Sequence, residues 1–457
     1  MQFPEVIFQL KKYASAANPI YLVGGAVRDA LLGRASRDFD FVCVSDTRNI
    51  ARKFADENDG IFFMLDEDRN TSRVILANRT PEQMVFDFAQ LRGSSIESDL
   101  MERDFSINAM AVELNSPDLI IDPTKGGRDL QQKWLRPVKK SSIEDDPVRA
   151  IRAVRYAVNL GLQIEPESVK LIRSASKGLI KVSNERKRDE IFKIMEGKKI
   201  GTALQLLRRF SVFEEIGLDV KSDFDLACRK VDVLVNMIAI ICGNNGTDKN
   251  TSFSQTSMLL RLGRFNHKLE KHYYQKNLTG RDRKSLVFIH QIVEQVKRDE
   301  VVEKFHPLAL STDEIEVLQK LAANENLLDR ILTVVTNLEN RTIYKFFAES
   351  GETGIDLVFL ALSEYASNLG SEFSQDRWLR MLEICEALIE AWFCQPDIIA
   401  PKPLLNGNEL MFHFDLIPGP LIGEIIDNLK EEQAAGNIKT KEDALDWVDL
   451  RLQRNSL

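Results

Sequence analysis

Two aspartates that alternate with phenylalanines are the first candidates for chemistry in this sequence. Asp38 and Asp40 are separated by one residue, so on a β-strand both carboxylates would point to one face while Phe39 and Phe41 point to a core. Neighbouring carboxylates repel each other. A divalent cation such as Mg²⁺ relieves this repulsion, because it binds carboxylate oxygens together with substrate phosphate and water. The alternative is a solvated strand surface that binds no metal.

A glycine pair upstream favours the metal interpretation. Gly24 and Gly25 follow a strand-like apolar run at residues 20–23 and precede a helical pattern at residues 26–32. Glycines allow backbone amides to approach a ligand closely at the positive end of a helix, where phosphate is the natural ligand. The alternative is a turn that only connects a strand to a helix.

A third carboxylate, Asp87, lies in another run with apolar alternation, residues 84–88. We expect a neighbouring strand to present it beside Asp38 and Asp40, where it would ligate or orient a metal; an edge-strand aspartate that faces water is the alternative. Phosphoryl transfer by two metal ions needs no nucleophilic side chain. This agrees with a chain that has only five histidines and no recognisable Ser/His/Asp or Cys/His pattern.

The elements that must position these residues form an α+β region followed by helices. Strand-like runs at residues 20–23, 39–44, 60–64, 72–77 and 84–88 indicate a mixed sheet with helices that ends near Pro137. From Pro147 onward the apolar spacing is helical, and no further strand is predicted.

Composition limits the remaining function classes. The longest apolar run, residues 233–242, is too short to span a bilayer, and the N-terminus lacks a signal-peptide pattern, so we expect a cytoplasmic protein. The five scattered cysteines indicate reduced thiols. The net charge of -8 argues against indiscriminate coating of nucleic acid, but residues 125–209 are rich in lysine and arginine and would provide a local phosphate-binding face.

Six motifs in order over the first 190 residues resemble those of class II tRNA nucleotidyltransferases and bacterial poly(A) polymerases, which have a polymerase β-like head. They are Gly24-Gly25-Ala26-Val27-Arg28-Asp29, Asp38-Phe39-Asp40, Arg103-Asp104-Phe105-Ser106-Ile107-Asn108-Ala109, Asp122-Pro123-Thr124-Lys125-Gly126-Gly127, Asp145-Asp146-Pro147-Val148-Arg149 and Glu185-Arg186-Lys187-Arg188-Asp189-Glu190.

The resemblance assigns roles to these residues. It agrees with the catalytic role already inferred from the residues for Asp38, Asp40 and Asp87, with Mg²⁺ bound by Asp38 and Asp40. The nucleotide-binding residues that it implies near the triphosphate, ribose and incoming nucleotide are Gly24, Gly25, Arg28, Asp29, Arg103, Asp104 and Asn108. Arg152 and Arg155, each one helical step further along, would face nucleotide phosphates.

Asp146 and Arg149 offer a carboxylate acceptor next to a guanidinium donor. This pair complements the amino group and ring nitrogen of cytosine or adenine, whereas guanine and uracil present the opposite arrangement. The alternative is that Asp146 is only a helix N-cap, with Pro147 at the first helical position. The resemblance identifies Asp146 and Arg149 as the residues that read the incoming base.

The resemblance also implies a domain organisation. We expect a catalytic head at residues 1–138, a base-recognising helical neck at 139–220, a helical body at 221–395 and a tRNA-contacting tail at 396–457. The body resembles a degenerate HD-type module, but the sequence contains no His-Asp dipeptide, so phosphohydrolase activity is not expected.

The function implied is template-independent addition of CMP, AMP or both to the 3′ end of tRNA, with tRNA, CTP and ATP as partners and no membrane or protein partner. A poly(A) polymerase is the first alternative, although no strongly basic C-terminal extension is present. A catalytically silent RNA-binding protein is the second alternative. The aspartate pair, Asp38 and Asp40, and the base-reading pair, Asp146 and Arg149, are both intact, which argues against it. The segment of about ten residues after Phe88 is short for a lid loop; it resembles that of CC-adding enzymes, and some A-adding relatives share it.

Overall fold

The computed structural model describes residues 2–44, 46–77, 83–243, 252–334, 338–367 and 373–455. The chain forms two compact units. The first comprises Met1–Ile191 and Leu206–Ile216, and the second comprises Phe192–Gln205 and Gly217–Leu457.

A mixed sheet of seven strands organises the first unit. Its strands are β1 Ile20–Val23, β2 Asp38–Cys43, β3 Ile61–Asp66, β4 Thr71–Leu76, β5 Met84–Gln90, β6 Ala111–Glu113 and β7 Ile120–Ile121. The order across the sheet is β3-β4-β5-β2-β1-β6-β7, and β2 pairs with β5 in parallel while the other neighbours are antiparallel. The expected mixed sheet is confirmed.

Aromatic side chains form the core beneath the central strands. Phe39 stacks on Phe86 with ring centroids 5.3 Å apart, and Phe41 stacks on Phe88 at 5.2 Å. Phe54, from the helix that follows β2, contacts Phe86 at 5.0 Å. Because these phenylalanines face inward, the residues that alternate with them on β2 and β5 face the other side of the sheet.

Helices make up most of the rest of the chain as far as Ile216. They are α1 Glu5–Phe8, α2 Gly25–Leu31, α3 Thr47–Glu57, α4 Ile96–Met101, α5 Gly126–Gln131, α6 Ser141–Asp145, α7 Arg149–Leu160, α8 Pro166–Ser176, α9 Asn184–Met195, α10 Ile200–Arg209 and α11 Val212–Ile216. The prediction that no strand follows Pro147 was wrong in one place. The two-residue strand β9, Gln163–Ile164, pairs with β8, Trp134–Leu135, and segments this short carry no readable period.

The second unit is helical in its described residues apart from isolated β-bridges. Its helices after Gly217 are α12 Phe224–Ile241, α13 Phe253–Leu262, α14 Asn266–Tyr274, α15 Arg283–Ile292, α16 Val301–Phe305, α17 Thr312–Asn324, α18 Leu327–Val334, α19 Asn340–Ser350, α20 Thr353–Ser367, α21 Gln375–Cys394, α22 Pro396–Ile399, α23 Gly407–Phe414, α24 Pro420–Ala434 and α25 Lys441–Asn455. Helix α12 packs against α15 and α20.

The last helices share a small core of their own, formed by Leu405, Leu410, Ile425, Leu429, Ile438, Ala444 and Val448. Among the described helices, none is long and apolar enough to cross a membrane.

Candidate active site

A cavity of about 400 Å³ opens on the face of the sheet opposite the phenylalanines. Its size falls within the range of small-molecule sites. Ten of the residues singled out in the sequence line it: Gly24, Gly25, Asp40, Asp87, Arg103, Asp104, Asn108, Asp146, Arg149 and Arg152. The fold therefore brings residues from the head strands and from the helices after residue 138 to one place.

The carboxylates lie in rows set by strand register. Asp40 on β2 is opposite Asp87 on β5, and Asp38 is opposite Val85. Asp38 and Asp40 are both exposed, whereas the intervening Phe39 is buried. The prediction that a neighbouring strand presents Asp87 beside the aspartate pair is confirmed, although Asp38 itself is not among the residues that line the cavity.

The environment of Asp40 fits a cation. Solvent reaches this side chain through the open side of the cavity, but protein atoms surround its carboxylate elsewhere, and this desolvation raises the pKa of Asp40. The negative charges of Asp87 and Asp38 raise it further, while Arg103 and Arg73 act in the opposite direction. A carboxylate disfavoured in its ionised form gains when a hard cation binds.

Protein ligands alone do not complete a metal site here. Within the described parts of the chain, no group of three or more His, Cys, Asp or Glu side chains is arranged to hold an ion. The donor set fits Mg²⁺ nevertheless, because this ion is usually bound by one or two carboxylates and takes its other ligands from water and substrate phosphates.

Arg73 binds Asp87, an interaction that the sequence did not indicate. Its Nε and Nη2 donate to the two carboxylate oxygens of Asp87 at 2.7 and 2.8 Å. The two residues face each other on the antiparallel strands β4 and β5. This bidentate pair orients the Asp87 carboxylate and compensates its charge.

The glycine turn lies directly against the carboxylates. Gly24 has a φ of 73°, and a side chain there would begin 3.1 Å from Arg103 Nη1 and 3.5 Å from Asp40 Oδ2. Only glycine adopts this conformation easily and leaves the space free. Gly25 then begins α2, so the helix N-terminus opens beside Asp40.

A chain of hydrogen bonds runs from the glycine turn to α7. Arg28 Nη1 donates to Asn108 Oδ1 at 2.7 Å, and Asn108 Nδ2 donates to Asp104 Oδ1 at 3.1 Å. Arg152 then donates to Asp104 Oδ2 from Nε and Nη2, at 2.9 and 2.7 Å. Burial alone would raise the pKa of Asp104, but the charge of Arg152 and these hydrogen bonds hold it below its usual value.

Tyr156 is a site residue that sequence reasoning missed. It lines the cavity, its hydroxyl accepts a hydrogen bond from Arg152 at 3.1 Å, and three guanidinium groups surround its ring. The ring centroid lies 5.4 Å from the Arg28 guanidinium carbon, 5.6 Å from that of Arg152 and 4.3 Å from that of Arg155. The feature of the sequence that could have identified Tyr156 is its position one helical turn after Arg152 on α7.

Asp146 is not a helix N-cap. Helix α7 begins at Arg149 and has no side-chain cap, and Asp146 follows the end of α6. Its Oδ2 instead accepts a hydrogen bond from Arg186 Nη2 at 2.7 Å and lies 3.8 Å from Arg149 Nε. The alternative interpretation of Asp146 as a cap was therefore wrong, because Arg186 of α9 binds the carboxylate that would have capped the helix.

Arg149 is held by backbone oxygens. Its Nη1 donates to the Ser142 carbonyl at 2.9 Å and its Nη2 to the Glu102 carbonyl at 3.5 Å. These bonds fix the guanidinium at the cavity wall beside Asp146. The spatial pairing of an acceptor with a donor is therefore present.

Three of the predicted nucleotide-binding residues lie outside the cavity lining. Arg28, Asp29 and Arg155 are not among the described residues that line the cavity. Arg28 Nε donates to Asp29 Oδ1 at 2.9 Å, and Arg155 Nε donates to Glu190 Oε2 at 2.8 Å. Glu190 also accepts from Arg152 at 3.3 Å.

The connection between β5 and α4 is short and ordered by its own hydrogen bonds. Ser95 forms a capping box with Ser98, whose hydroxyl also donates to the Arg92 carbonyl at 3.2 Å. The Arg92 amide donates to Asp99 Oδ1 at 3.3 Å. The connection contributes Arg92 to the cavity.

Family models match three parts of the chain. The poly(A) polymerase head domain matches residues 20–136, the probable RNA- and SrmB-binding site of polymerase A matches residues 161–221, and the putative domain 2 of tRNA nucleotidyltransferases matches residues 359–448.

Curated relatives match over part or most of the chain. A CC-adding tRNA nucleotidyltransferase of Geobacter sulfurreducens is 39% identical over 42% of this chain, a match that spans only 44% of that relative. A CC-adding tRNA nucleotidyltransferase of Synechocystis is 28% identical over 93% of this chain and 92% of its own length. An A-adding tRNA nucleotidyltransferase of Deinococcus radiodurans is 27% identical over 93% of this chain and 94% of its own length.

Solved structures share the fold. A CCA-adding enzyme in complex with ATP superimposes with a TM-score of 0.67 at 22% identity and covers 98% of this chain and 95% of its own. The Thermotoga maritima CCA-adding enzyme in complex with tRNA has a TM-score of 0.60 at 22% identity and covers 99% of this chain and 96% of its own. Residues 20–136 therefore match a poly(A) polymerase head domain, and along most of its length the chain is similar to tRNA nucleotidyltransferases.

Proposed function

We propose that this protein adds CMP, AMP or both to the 3′ end of tRNA without a nucleic-acid template. One observation carries the proposal: Asp146 and Arg149 line the same cavity as Asp40 and the glycine turn. Groups suited to reading a base and groups suited to transferring its phosphate thus lie within reach of one nucleotide.

In the proposed reaction, the 3′-hydroxyl oxygen of the RNA attacks the α-phosphorus of the nucleoside triphosphate, and the hydroxyl proton is released to water. The new O–P bond forms as the bond from the α-phosphorus to the β-phosphate oxygen breaks, and pyrophosphate leaves. Asp38 and Asp40 would hold Mg²⁺, which when bound supplies positive charge to the reacting phosphates. Arg73 orients the carboxylate of Asp87, which is opposite Asp40. Asp87 would therefore be a third carboxylate beside the proposed metal site.

Side chains around the carboxylates position the nucleotide. The Gly25 amide would receive the triphosphate at the N-terminus of α2, while the Gly24 amide donates to the Met110 carbonyl at 3.1 Å and holds the turn in place. Arg103 lines the cavity beside Gly24, and Asp99 fixes its guanidinium through bonds of 3.2 and 3.3 Å. Asp104 and Asn108 lie further along the wall, where their network with Arg28 and Arg152 holds them ready to contact ribose.

Asp146 and Arg149 would select the base. The carboxylate of Asp146 accepts from an exocyclic amino group, and the guanidinium of Arg149 donates to the adjacent ring nitrogen. Cytosine and adenine satisfy both groups. Uracil and guanine would place an N–H against the guanidinium and a carbonyl against the carboxylate, which leaves desolvated groups unpaired.

A tRNA acceptor is favoured over other RNA by relatives that match along most of the chain. The Synechocystis and Deinococcus proteins, which align over 92% and 94% of their lengths, are both tRNA nucleotidyltransferases. The short connection between β5 and α4 resembles that of CC-adding enzymes, but some A-adding relatives share it, so the proposal includes addition of CMP and of AMP. We further assign residues 139–220 to base recognition and 396–457 to tRNA contact.

Transcripts of tRNA that end before the CCA sequence, or before its last A, provide the test. Each would be incubated with purified protein, Mg²⁺ and one nucleoside triphosphate, and the products would be sequenced at the 3′ end. We expect CMP on the first transcript, AMP on the second, or both, and no UMP or GMP. Extension by long runs of AMP on any RNA would instead identify a poly(A) polymerase, and no extension would contradict the proposal.

A further inference from the structure

The outer strand of the head sheet exposes a row of large apolar side chains. On β3, Ile61, Phe63 and Leu65 are 55%, 45% and 48% exposed, while the alternating Phe62 packs against the core beneath the sheet. Edge strands usually carry charged residues where they are open to solvent, because apolar edges promote association. A contiguous exposed apolar row therefore indicates a contact surface.

Strand register places Phe63, the centre of this row, on the face that carries the carboxylates. Phe63 is opposite Arg73 on β4, Arg73 is opposite Asp87 on β5, and Asp87 is opposite Asp40 on β2. Residues that are opposite each other on neighbouring strands point to the same face. With strands about 4.8 Å apart, the backbone at Phe63 lies about 14 Å from that at Asp40.

The chemistry of transfer indicates what would cross this surface. The glycine turn follows β1, which flanks β2 on the side away from β5. In-line displacement places the attacking hydroxyl opposite the leaving pyrophosphate. If the triphosphate lies against the glycine turn, the RNA 3′ end must approach Asp40 from the β5 side, and the nucleotides upstream of it must pass over β4 and β3.

We propose that Phe63, flanked by Ile61 and Leu65, positions the acceptor RNA by stacking against a base upstream of its reacting 3′ end. This inference rests on the proposed function. An aromatic surface accepts any base, because every base has a π-face. Arg73, whose side chain is 39% exposed, lies between Phe63 and Asp87 on the same face of the sheet.

The test compares Phe63→Ala with Phe63→Tyr and with Ile120→Ala, a control on the opposite edge strand whose residue is 38% exposed. Equilibrium binding of a tRNA transcript lacking its CCA end would be measured by filter retention, and KM would be measured separately for the transcript and for CTP. We expect Phe63→Ala to weaken tRNA binding about tenfold, to raise the KM for tRNA in parallel and to leave the KM for CTP unchanged. Phe63→Tyr and Ile120→Ala should match the wild type.

Unchanged tRNA affinity in Phe63→Ala would overturn the inference. An altered sedimentation coefficient together with unchanged tRNA affinity would also overturn it and would assign the row to a protein contact. If the wild-type protein incorporated no nucleotide, the proposed function would fail, whereas the binding comparison would still decide whether Phe63 contacts RNA.

Discussion

Asp40 on β2 is directly opposite Asp87 on the parallel strand β5, and Arg73 holds the Asp87 carboxylate with two hydrogen bonds. The arrangement leaves Asp40 as the carboxylate whose charge is disfavoured, since desolvation and the charges of Asp87 and Asp38 all raise its pKa. A site that concentrates negative charge in this way is suited to a cation.

Replacing Asp40 should separate catalysis from folding. We expect Asp40→Asn to reduce nucleotide incorporation at least about a hundredfold. Its thermal stability should equal or exceed that of the wild type, because the substitution removes repulsion. The exposed loop residue Asp118 provides a control, and Asp118→Asn should retain full activity. Incorporation assays and thermal unfolding check both expectations; near-normal turnover of Asp40→Asn in Mg²⁺ would reject the assignment.

A pair of glycines separates backbone strain from crowding of the site. Gly24 and Gly33 both have positive φ, 73° and 66°, but a Cβ at Gly33 would meet nothing within 4 Å. We expect Gly33→Ala to lose about 1–2 kcal/mol of stability and Gly24→Ala to lose at least as much, because its Cβ would also approach its neighbours closely. Only Gly24→Ala should raise the KM for CTP or ATP, because its methyl group would crowd Arg103 and Asp40. Equal KM values for both variants would place the triphosphate elsewhere.

Asp146→Ala should cost little stability. The carboxylate caps no helix, and its partner Arg186 is more than half exposed, so we expect a loss below about 1 kcal/mol. Urea unfolding measures this directly. A loss well above that value would show that the contact with Arg186 braces α9 more strongly than a surface ion pair.

How far the site could be predicted from the sequence depended on the range of each signal. The period of two correctly placed Asp38 and Asp40 opposite the buried Phe39, since alternation along a strand is a local property. The bond from Arg73 to Asp87 depends on the register between β4 and β5, which alternation does not determine.

Contacts between distant segments explain the other differences. Asp146 had the sequence context of a cap, but Arg186, forty residues away, binds its carboxylate. Tyr156 gains its importance from three arginines, of which Arg28 lies in a different part of the chain. Such partners depend on tertiary packing, which no local pattern in the sequence specifies.

Two buried histidines in the second unit should affect stability in opposite directions as pH changes. Burial lowers the pKa of His290 to about 4, and the charge of Lys221 acts in the same direction. Below pH 6.5 the unfolded chain binds this proton and the folded chain does not, so stability should fall by up to about 3 kcal/mol by pH 4. His290→Gln should reduce that fall.

The pKa of His272 is shifted in the opposite direction to that of His290, so its effect on stability has the opposite dependence on pH. Burial acts to lower its pKa, but Asp356 at 2.9 Å and Glu352 at 3.1 Å raise the pKa of His272 above its usual value. Its contribution to stability is complete below pH 6.5 and is lost as pH rises through the folded-state pKa. Urea unfolding followed by tryptophan fluorescence should show that His272→Gln removes this loss. If the stability of His290→Gln and of His272→Gln changed with pH in the same way, the opposite effects assigned to the two histidines would be contradicted.

Tyr156, at the centre of three guanidinium groups, should be needed for the geometry of the site. We expect Tyr156→Phe to lose the hydrogen bond from Arg152 but retain the cation–π contacts, with a modest change in KM for CTP or ATP. Tyr156→Ala should raise that KM further, because Arg28 and Arg152 lose a shared surface. Equal effects of both variants would mean that the hydroxyl alone matters.

Base selection by Asp146 and Arg149 is the central claim, and one comparison tests it most directly. Single-turnover incorporation of CTP, ATP, UTP and GTP into a tRNA transcript would be measured for the wild type, Asp146→Ala and Arg149→Ala. We predict that the wild type uses only CTP, ATP or both, and that Arg149→Ala slows their incorporation and narrows the preference for CTP over UTP, since mismatched bases no longer meet a fixed cation. An unchanged preference in both variants, with residual activity still measurable, would contradict the claim.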